Sequence, residues 1–196
     1  MPRILTTKHG TKKGVITKKA SRLFKEKGFS ATSMRDLAEA IGVEAPSLYN
    51  HFGSKNEILQ EICFRIANLF NTHLNEVEMH IQPDLAKIET IIRFHINMML
   101  NEYESVYVSD HEWKHLPEPY LSNFKNQRRG YRARLAEIIM AGIKNKELKK
   151  VDPYVAVLTI LSAIGGIEIW RLSKKNTDAK LLEQNMVAIL IHGLKY

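Results

Sequence analysis

Only one cysteine, Cys63, occurs in 196 residues, so no internal disulfide can staple the fold. Its neighbours Ile62, Phe64 and Ile66 suggest a reduced thiol packed in or near a helical core. A redox sensor would need a nearby positive group to lower the thiol pKa. There is no apolar run long enough to span a bilayer: the longest, Val155 to Ile169, contains Thr159 and Glu168 and falls short of about 20 residues. The segment MPRILTTKHGTKKG is basic but lacks the apolar stretch of a signal peptide, so a cytoplasmic location is expected. Alternating strand patterns, internal repeats and low-complexity segments are also missing. What remains is a chain long enough for a compact helical core of one or two domains, without disulfide or metal staples.

The charge is uneven. Residues 1–60 carry 11 Lys and Arg against 5 Asp and Glu, a net +6, while the remainder carries 18 against 16, a net +2. A basic segment joined to a near-neutral one points to a polyanionic partner for the first third alone. Charge by itself is equally consistent with a basic surface kept for solubility.

Apolar spacing predicts helices throughout. Ile16, Ala20, Leu23 and Phe24 predict one over 12–27, stopped by Gly28 with Phe29 after it. Ser33-Met-Arg-Asp36 is a capping box, and Met34, Leu37, Ala38 and Ile41 follow at helical spacing until Gly42-Val43. Pro46 falls in the first turn of a third helix that carries Leu48, Tyr49 and Phe52 over about two turns. Ser54-Lys-Asn-Glu57 then opens a long helix to about Ile81. Asp84 is placed as the cap of a helix to about Glu102. Weaker and stronger patterns cover 105–116 and 120–145. Asp152-Pro153 opens an apolar helix to about Ser173, and Asp178 caps the last one.

Two short helices joined at Gly42 have the layout of a helix-turn-helix, which places its second helix in the major groove. Ala45, Pro46 and Ser47 are compact enough for close approach to base edges. Tyr49, Asn50 and His51 offer outward polar groups, and Lys55 stands at a helix N-terminus, which attracts phosphate. Leu48 and Phe52 read as core, and Ser33 chiefly as a cap. The basic stretch Lys8, Lys12, Lys13 is either a solvated tail or an arm along the DNA backbone.

The run from Phe29 to Lys55, ending Leu48-Tyr-Asn-His-Phe-Gly-Ser-Lys55, resembles the DNA-binding signature of the TetR family of regulators over about residues 12–60. The resemblance implies an all-α fold, with a DNA-binding domain over 1–58 and a helical effector-binding and dimerisation domain over 59–196. It implies phosphate contacts by Tyr49, His51 and Lys55. It also implies that Ala45, Pro46, Ser47 and Asn50 lie along the major groove, and that Thr32, Ser33 and Arg35 reach the backbone or a neighbouring base. The recognition helix lacks an Arg or Gln that could read a base with two hydrogen bonds. Specificity is therefore expected to be spread over Arg35, Ser47, Asn50, thymine-methyl contacts and DNA shape.

By the same resemblance the protein is a regulator, not an enzyme. It is expected to be a repressor, homodimeric through its last two helices and released from a palindromic operator in double-stranded DNA by a small-molecule effector. No cofactor, metal or membrane is expected. Residues expected to line the effector site are His95, Met98, Met99, Tyr103 and Tyr107, then Trp113, Phe124, Tyr131 and Trp170. Each of them also suits plain core packing, although methionine and aromatic side chains do fit an adaptable apolar pocket. The stretch from His111 through Gln127-Arg-Arg-Gly-Tyr-Arg-Ala-Arg134 to Trp170 distantly resembles acyl-CoA-sensing regulators, in which residues such as Arg128, Arg129 or Arg132 would hold phosphates. An effector of another apolar or cationic kind, and no effector at all, are the alternatives.

His111-Glu112-Trp113-Lys114-His115 matches the His-Glu-x-x-His pattern of zinc peptidases. The context is poor, because Lys114 is charged and Pro117 ends the helix. Solvated or packing histidines are the expected reading. The remaining rival is a helical interaction module whose N-terminal part is merely basic.

Overall fold

A computed structural model describes residues 12–173 and 178–194. Ten α-helices follow one another, with no strand among the described residues. They are α1 (Lys12–Lys27), α2 (Met34–Ile41), α3 (Ala45–Tyr49), α4 (Lys55–Met79) and α5 (Asp84–Asn101). Then come α6 (Tyr103–His111), a 3-10 turn over Trp113–His115, α7 (Tyr120–Lys144), α8 (Pro153–Gly165), α9 (Ile167–Leu172) and α10 (Ala179–Leu194). The chain forms two compact units: one joins residues up to Asn68 with Glu104–Lys125, the other Leu69–Tyr103 with the residues from Asn126 on.

Local signals fix the first three helices. Gly28 and Gly42 take φ of +84° and +82°, a left-handed conformation that a side chain would strain. The Gly42 N–H donates to the carbonyls of Ala38 and Glu39, which closes α2. At its other end Ser33 and Asp36 form the full capping box. Ile16, Ala20 and Phe24 of α1 meet Leu37 and Ile41 of α2, Leu48 of α3 and Ile58, Leu59 and Ile62 of α4 in one core. Each large side chain sealed there contributes about 2 kcal/mol of apolar burial. Cys63 is buried in the same core as a free thiol. Val108, Leu116 and Phe124 complete it, and a buried 3.1 Å hydrogen bond joins the hydroxyls of Ser21 and Ser105.

In the second unit α5 is central. It packs against α8, α9 and α10 through a stripe that includes Ile88, Ile91, Ile92 and Ile96, all buried. Facing residues include Val157, Ile160 and Ile164 of α8 and Val187 and Ile191 of α10.

Several boundaries differ from those the spacing predicts. Asp84 is not the cap of α5: Pro83 holds that position, while Asp84 is buried within the first turn. Its carboxylate accepts from Asn145 Nδ2 at 2.8 Å and from Lys87 Nζ at 3.0 Å, a tertiary use that no local pattern announces. α3 stops at Tyr49 after five residues. The helix expected over 105–116 ends at His111, and Leu116, before Pro117, is extended as a residue preceding proline prefers. The apolar helix from Pro153 is interrupted at Gly165-Gly166, where glycine has the weakest hold on helical geometry short of proline.

Candidate nucleic-acid interface and effector site

The start of α2 and the short α3 present the residues expected at DNA. Ser33 and Arg35 are exposed, as are Pro46 and Asn50, while Ala45, Ser47 and His51 are half-buried. Tyr49 is 51% exposed beside the fully buried Leu48, so the helix turns its apolar side chain inward and its phenol outward. Ser33 Oγ accepts from the Asp36 N–H at 3.1 Å, and Asp36 Oδ2 accepts from the Ser33 N–H at 2.7 Å. The hydrogen bond from the Ser33 side chain holds the Asp36 carboxyl below its ordinary range. Asp36 thus stays an anion on this surface, tied to the cap.

Two residues expected at the backbone of DNA are turned inward. Thr32 is buried, and its hydroxyl donates to the Gly28 carbonyl at 2.8 Å. Lys55 donates to the carbonyls of Phe29, Ser30 and Thr32 at 3.0, 3.3 and 2.9 Å, and its ammonium lies 4.5 Å from the Phe29 ring centroid. An ammonium has three N–H donors, and all three are engaged. Lys19, which no sequence pattern singled out, does the same at the other end of α2, donating to the Ile41 carbonyl at 3.0 Å and the Ala40 carbonyl at 3.4 Å. A cation is favoured there, where the helix presents unpaired carbonyls. Lys13 lies over the Phe52 ring at 5.0 Å, and Lys8 falls outside the described residues. Part of the basic charge of this unit therefore fastens its turns.

The residues expected at an effector do not gather in one cluster. Tyr107, Trp113 and Phe124 belong to the first unit: Phe124 is fully buried in its core, Trp113 tilts against it at 6.3 Å, and Tyr107 stacks on His111 at 4.2 Å. The physical reason is that α6 and the start of α7 complete the core built by α1–α4. The others belong to the second unit. Met99 and Tyr103 are buried, with the Arg171 guanidinium 4.5 Å from the Tyr103 ring centroid. Trp170 Nε1 is buried with no hydrogen-bond partner among the described residues. Arg128 is half-buried and Arg132 exposed.

His95 and Tyr131 are brought together directly, with 2.8 Å between His95 Nε2 and the phenol oxygen. Phe70 of α4 stacks on His95 at 4.4 Å and meets Tyr131 edge-on at 6.0 Å, and His73 stacks on Phe94 at 3.9 Å. Burial pushes His95 down to about 3 and Tyr131 up, so both are neutral at neutral pH. Phe70, His73 and Phe94 escaped the sequence reading. Their signal was a ring pair three residues apart on α4, opposite adjacent rings on α5.

The peptidase-like motif is dispersed. His111 ends α6 with its Nδ1 2.9 Å from the Tyr107 carbonyl, whereas His115 lies in the 3-10 turn, stacked on Phe29 at 5.2 Å and 3.3 Å from Glu112. Two histidines one α-helical turn apart would share a face, but the helix ends between these two.

Comparison with known proteins agrees with this layout. Residues 16–62 match the family described as bacterial regulatory proteins, tetR family, and residues 82–194 match the tetracyclin repressor-like C-terminal domain. The HTH-type transcriptional repressor KstR2 of Rhodococcus jostii (strain RHA1) is 28% identical over 180 residues, 89% of this chain and 87% of that protein. Among solved structures, the ketosteroid transcriptional regulator KstR2 of Mycobacterium tuberculosis superposes with a TM-score of 0.87 at 19% identity, covering 99% of this chain and 100% of that one. AibR, crystallised with isovaleryl coenzyme A and operator DNA, does so with a TM-score of 0.80 at 22% identity, covering 91% and 97%. At such identities the two structures bear on the fold alone. With both its N-terminal and its C-terminal segments matched, this chain belongs to the TetR family of DNA-binding transcriptional regulators, which are not enzymes.

Proposed function

We propose that the protein is a repressor that holds a palindromic operator as a homodimer and is released from it by a small-molecule effector. The observation that carries the reading is the outward Tyr49 on α3, with exposed Ser33, Arg35, Pro46 and Asn50 around it and a sealed core beneath. In this reading residues 1–58 read DNA, with Ser33, Arg35, Tyr49 and His51 on phosphates and Ala45, Pro46, Ser47 and Asn50 in the major groove. Thr32 and Lys55 serve that surface by holding the turn before α2. Residues 59–196 carry the effector site and the dimer contact.

Dimerisation is supported by apolar side chains left uncovered on the last helices. Leu158 is 65% exposed, Ile169 73% and Ile189 71%, with Tyr154, Val155, Leu172 and Leu181 also exposed. A monomer has little reason to leave such a face in water, and a self-complementary patch closes into a two-fold dimer. Against the expectation from the Val155–Ile169 run alone, the whole stretch Pro153–Leu172, which adds flanking residues to that run, is long and apolar enough to cross a membrane by length and composition. In this reading its open face meets a second copy of the chain instead, which membership of a family of DNA-binding regulators supports.

The effector site lies among α5, α7, α8 and α9, and an acyl-CoA fits the family context, given that AibR was crystallised with one. Arg128 and Arg132 are the cations proposed to meet its phosphates. Ligand binding there shifts α4 and with it the spacing of the two α3 helices, so they no longer meet successive major grooves. The ligand must bind the DNA-incompetent state more tightly for this to occur.

The test is fluorescence anisotropy with DNA flanking the protein's own gene, against scrambled DNA, at two salt concentrations. Tight binding restricted to the genomic DNA, weakened at least tenfold by Tyr49→Ala, is the expected result. Equal binding of scrambled DNA, indifferent to that substitution, would falsify the reading.

A further inference from the structure

Two features of the second compact unit share the same pair of helices. One is an apolar cavity lined by Ile88, Ile91 and Ile92 of α5, Leu135 and Ile139 of α7, and residues of α8 including Leu161. The other is the His95–Tyr131 pair. His95 lies one turn along α5 from Ile91 and Ile92, and Tyr131 one turn along α7 from Leu135, so each continues the stripe that lines the cavity. The cavity is thus a small aliphatic pocket, and by helical spacing the hydrogen-bonding pair lies one turn beyond its lining, with Phe70 of α4 packed on that pair.

The charge at that end is unusual for an anion site. Both members of the pair are held neutral by burial. His73, whose ring stacks on Phe94 beside them, is also pushed down by burial against a smaller opposing effect of Glu76. The adjacent cation, Arg134, is already committed to Glu78 and Asn75. A carboxylate entering here would lose its water without gaining a counter-charge, a costly exchange. An uncharged oxygen needs only one hydrogen bond, and the phenol can donate it when His95 Nε2 carries its proton and donates to the phenol oxygen.

We propose that the effector lays an aliphatic chain into the cavity between α5, α7 and α8 and presents an uncharged carbonyl oxygen, of the kind a thioester carries, to the His95–Tyr131 pair one turn beyond it, and that the site refuses the corresponding free acid. This rests on the reading that the second domain binds an effector, and it adds the chemistry that selects it. The cavity is only about 20 Å³, so an entering chain has to part the side chains of α5 and α8. Its carbonyl meets the pair on which Phe70, and therefore α4, is packed.

The experiment is calorimetric titration of the full chain with S-octanoyl-N-acetylcysteamine, a neutral acyl thioester, and with octanoate. The wild type is expected to bind the thioester at least tenfold more tightly. Tyr131→Phe should lose about tenfold of thioester affinity, and with it the preference, because one hydrogen bond to a buried group is worth about that ratio. His95→Gln, which keeps both a donor and an acceptor, should retain most of it, and thermal unfolding of both variants checks that they fold. Octanoate binding as tightly as the thioester, no binding of either, or a preference that survives Tyr131→Phe each overturns the inference. DNA affinity is measured separately on the same preparations without ligand. Its absence counts against the regulator reading and leaves the calorimetry to decide this one.

Discussion

Lys55 is where the residue scale departs most from family expectation. Its three donors all end on carbonyls of the turn before α2. If that geometry persists on DNA, Lys55→Met lowers stability by about 1 kcal/mol, the value of such bonds discounted for partial exposure. It then weakens DNA binding without altering its salt dependence. Arg35→Gln should do the opposite, leaving stability unchanged and reducing the slope of log affinity against log salt by about one. Urea unfolding and anisotropy at several salt concentrations separate the two, and a reduced slope for Lys55→Met would restore it as a phosphate contact. His95 carries a second residue-scale expectation. Its folded value of about 3 lies below the ordinary 6.5, so the unfolded chain takes up the proton first. Its contribution to stability is complete above pH 6.5 and is lost as pH falls toward 3. His95→Phe, which keeps a ring against Phe70, should lose less stability over that window. Parallel urea midpoints for the two proteins would count against a buried neutral imidazole.

At the scale of elements, α2 is specified at both ends by its own sequence: the Ser33–Asp36 box opens it and Gly42 closes it. A Cβ at Gly42 would meet open space, so the cost of Gly42→Ala is the positive φ alone, about 1 kcal/mol. The expected outcome is a lower unfolding midpoint, with DNA affinity falling because α3 is hung from that turn. Unchanged stability would mean that the turn can be remade without its left-handed residue. Other elements were illegible locally. Asp84 looked like a cap because it follows a proline before an apolar stripe, yet its partners, Asn145 and Lys87, include one 61 residues away. α6 lost its last turn to the extended residue that precedes Pro117.

For the whole molecule, the open apolar faces of α8, α9 and α10 set the expectation. Leu158→Glu with Ile189→Glu should yield a folded monomer by light scattering. Its DNA affinity should fall to that of a single half-site, since a two-fold protein gains its tightness by engaging two half-sites together. A dimer that survives both charges would place the contact elsewhere.

By itself the sequence determined the helical class, the order of the elements, the capped and glycine-closed helix-turn-helix and the basic head, because those depend on spacing within a few turns. The surface that carries Tyr49 followed from the same local periodicity, which sends Leu48 inward and its neighbour outward. Only the tertiary structure decided that Lys19 and Lys55 fasten turns, that Tyr107, Trp113 and Phe124 complete the core of the first unit, and that His95 meets Tyr131 under Phe70. These pairings join residues 22 to 36 positions apart or more, and neither periodicity nor composition carries information over such distances. The partner of a lysine or a histidine is chosen by whichever carbonyl or ring the packed chain brings within reach.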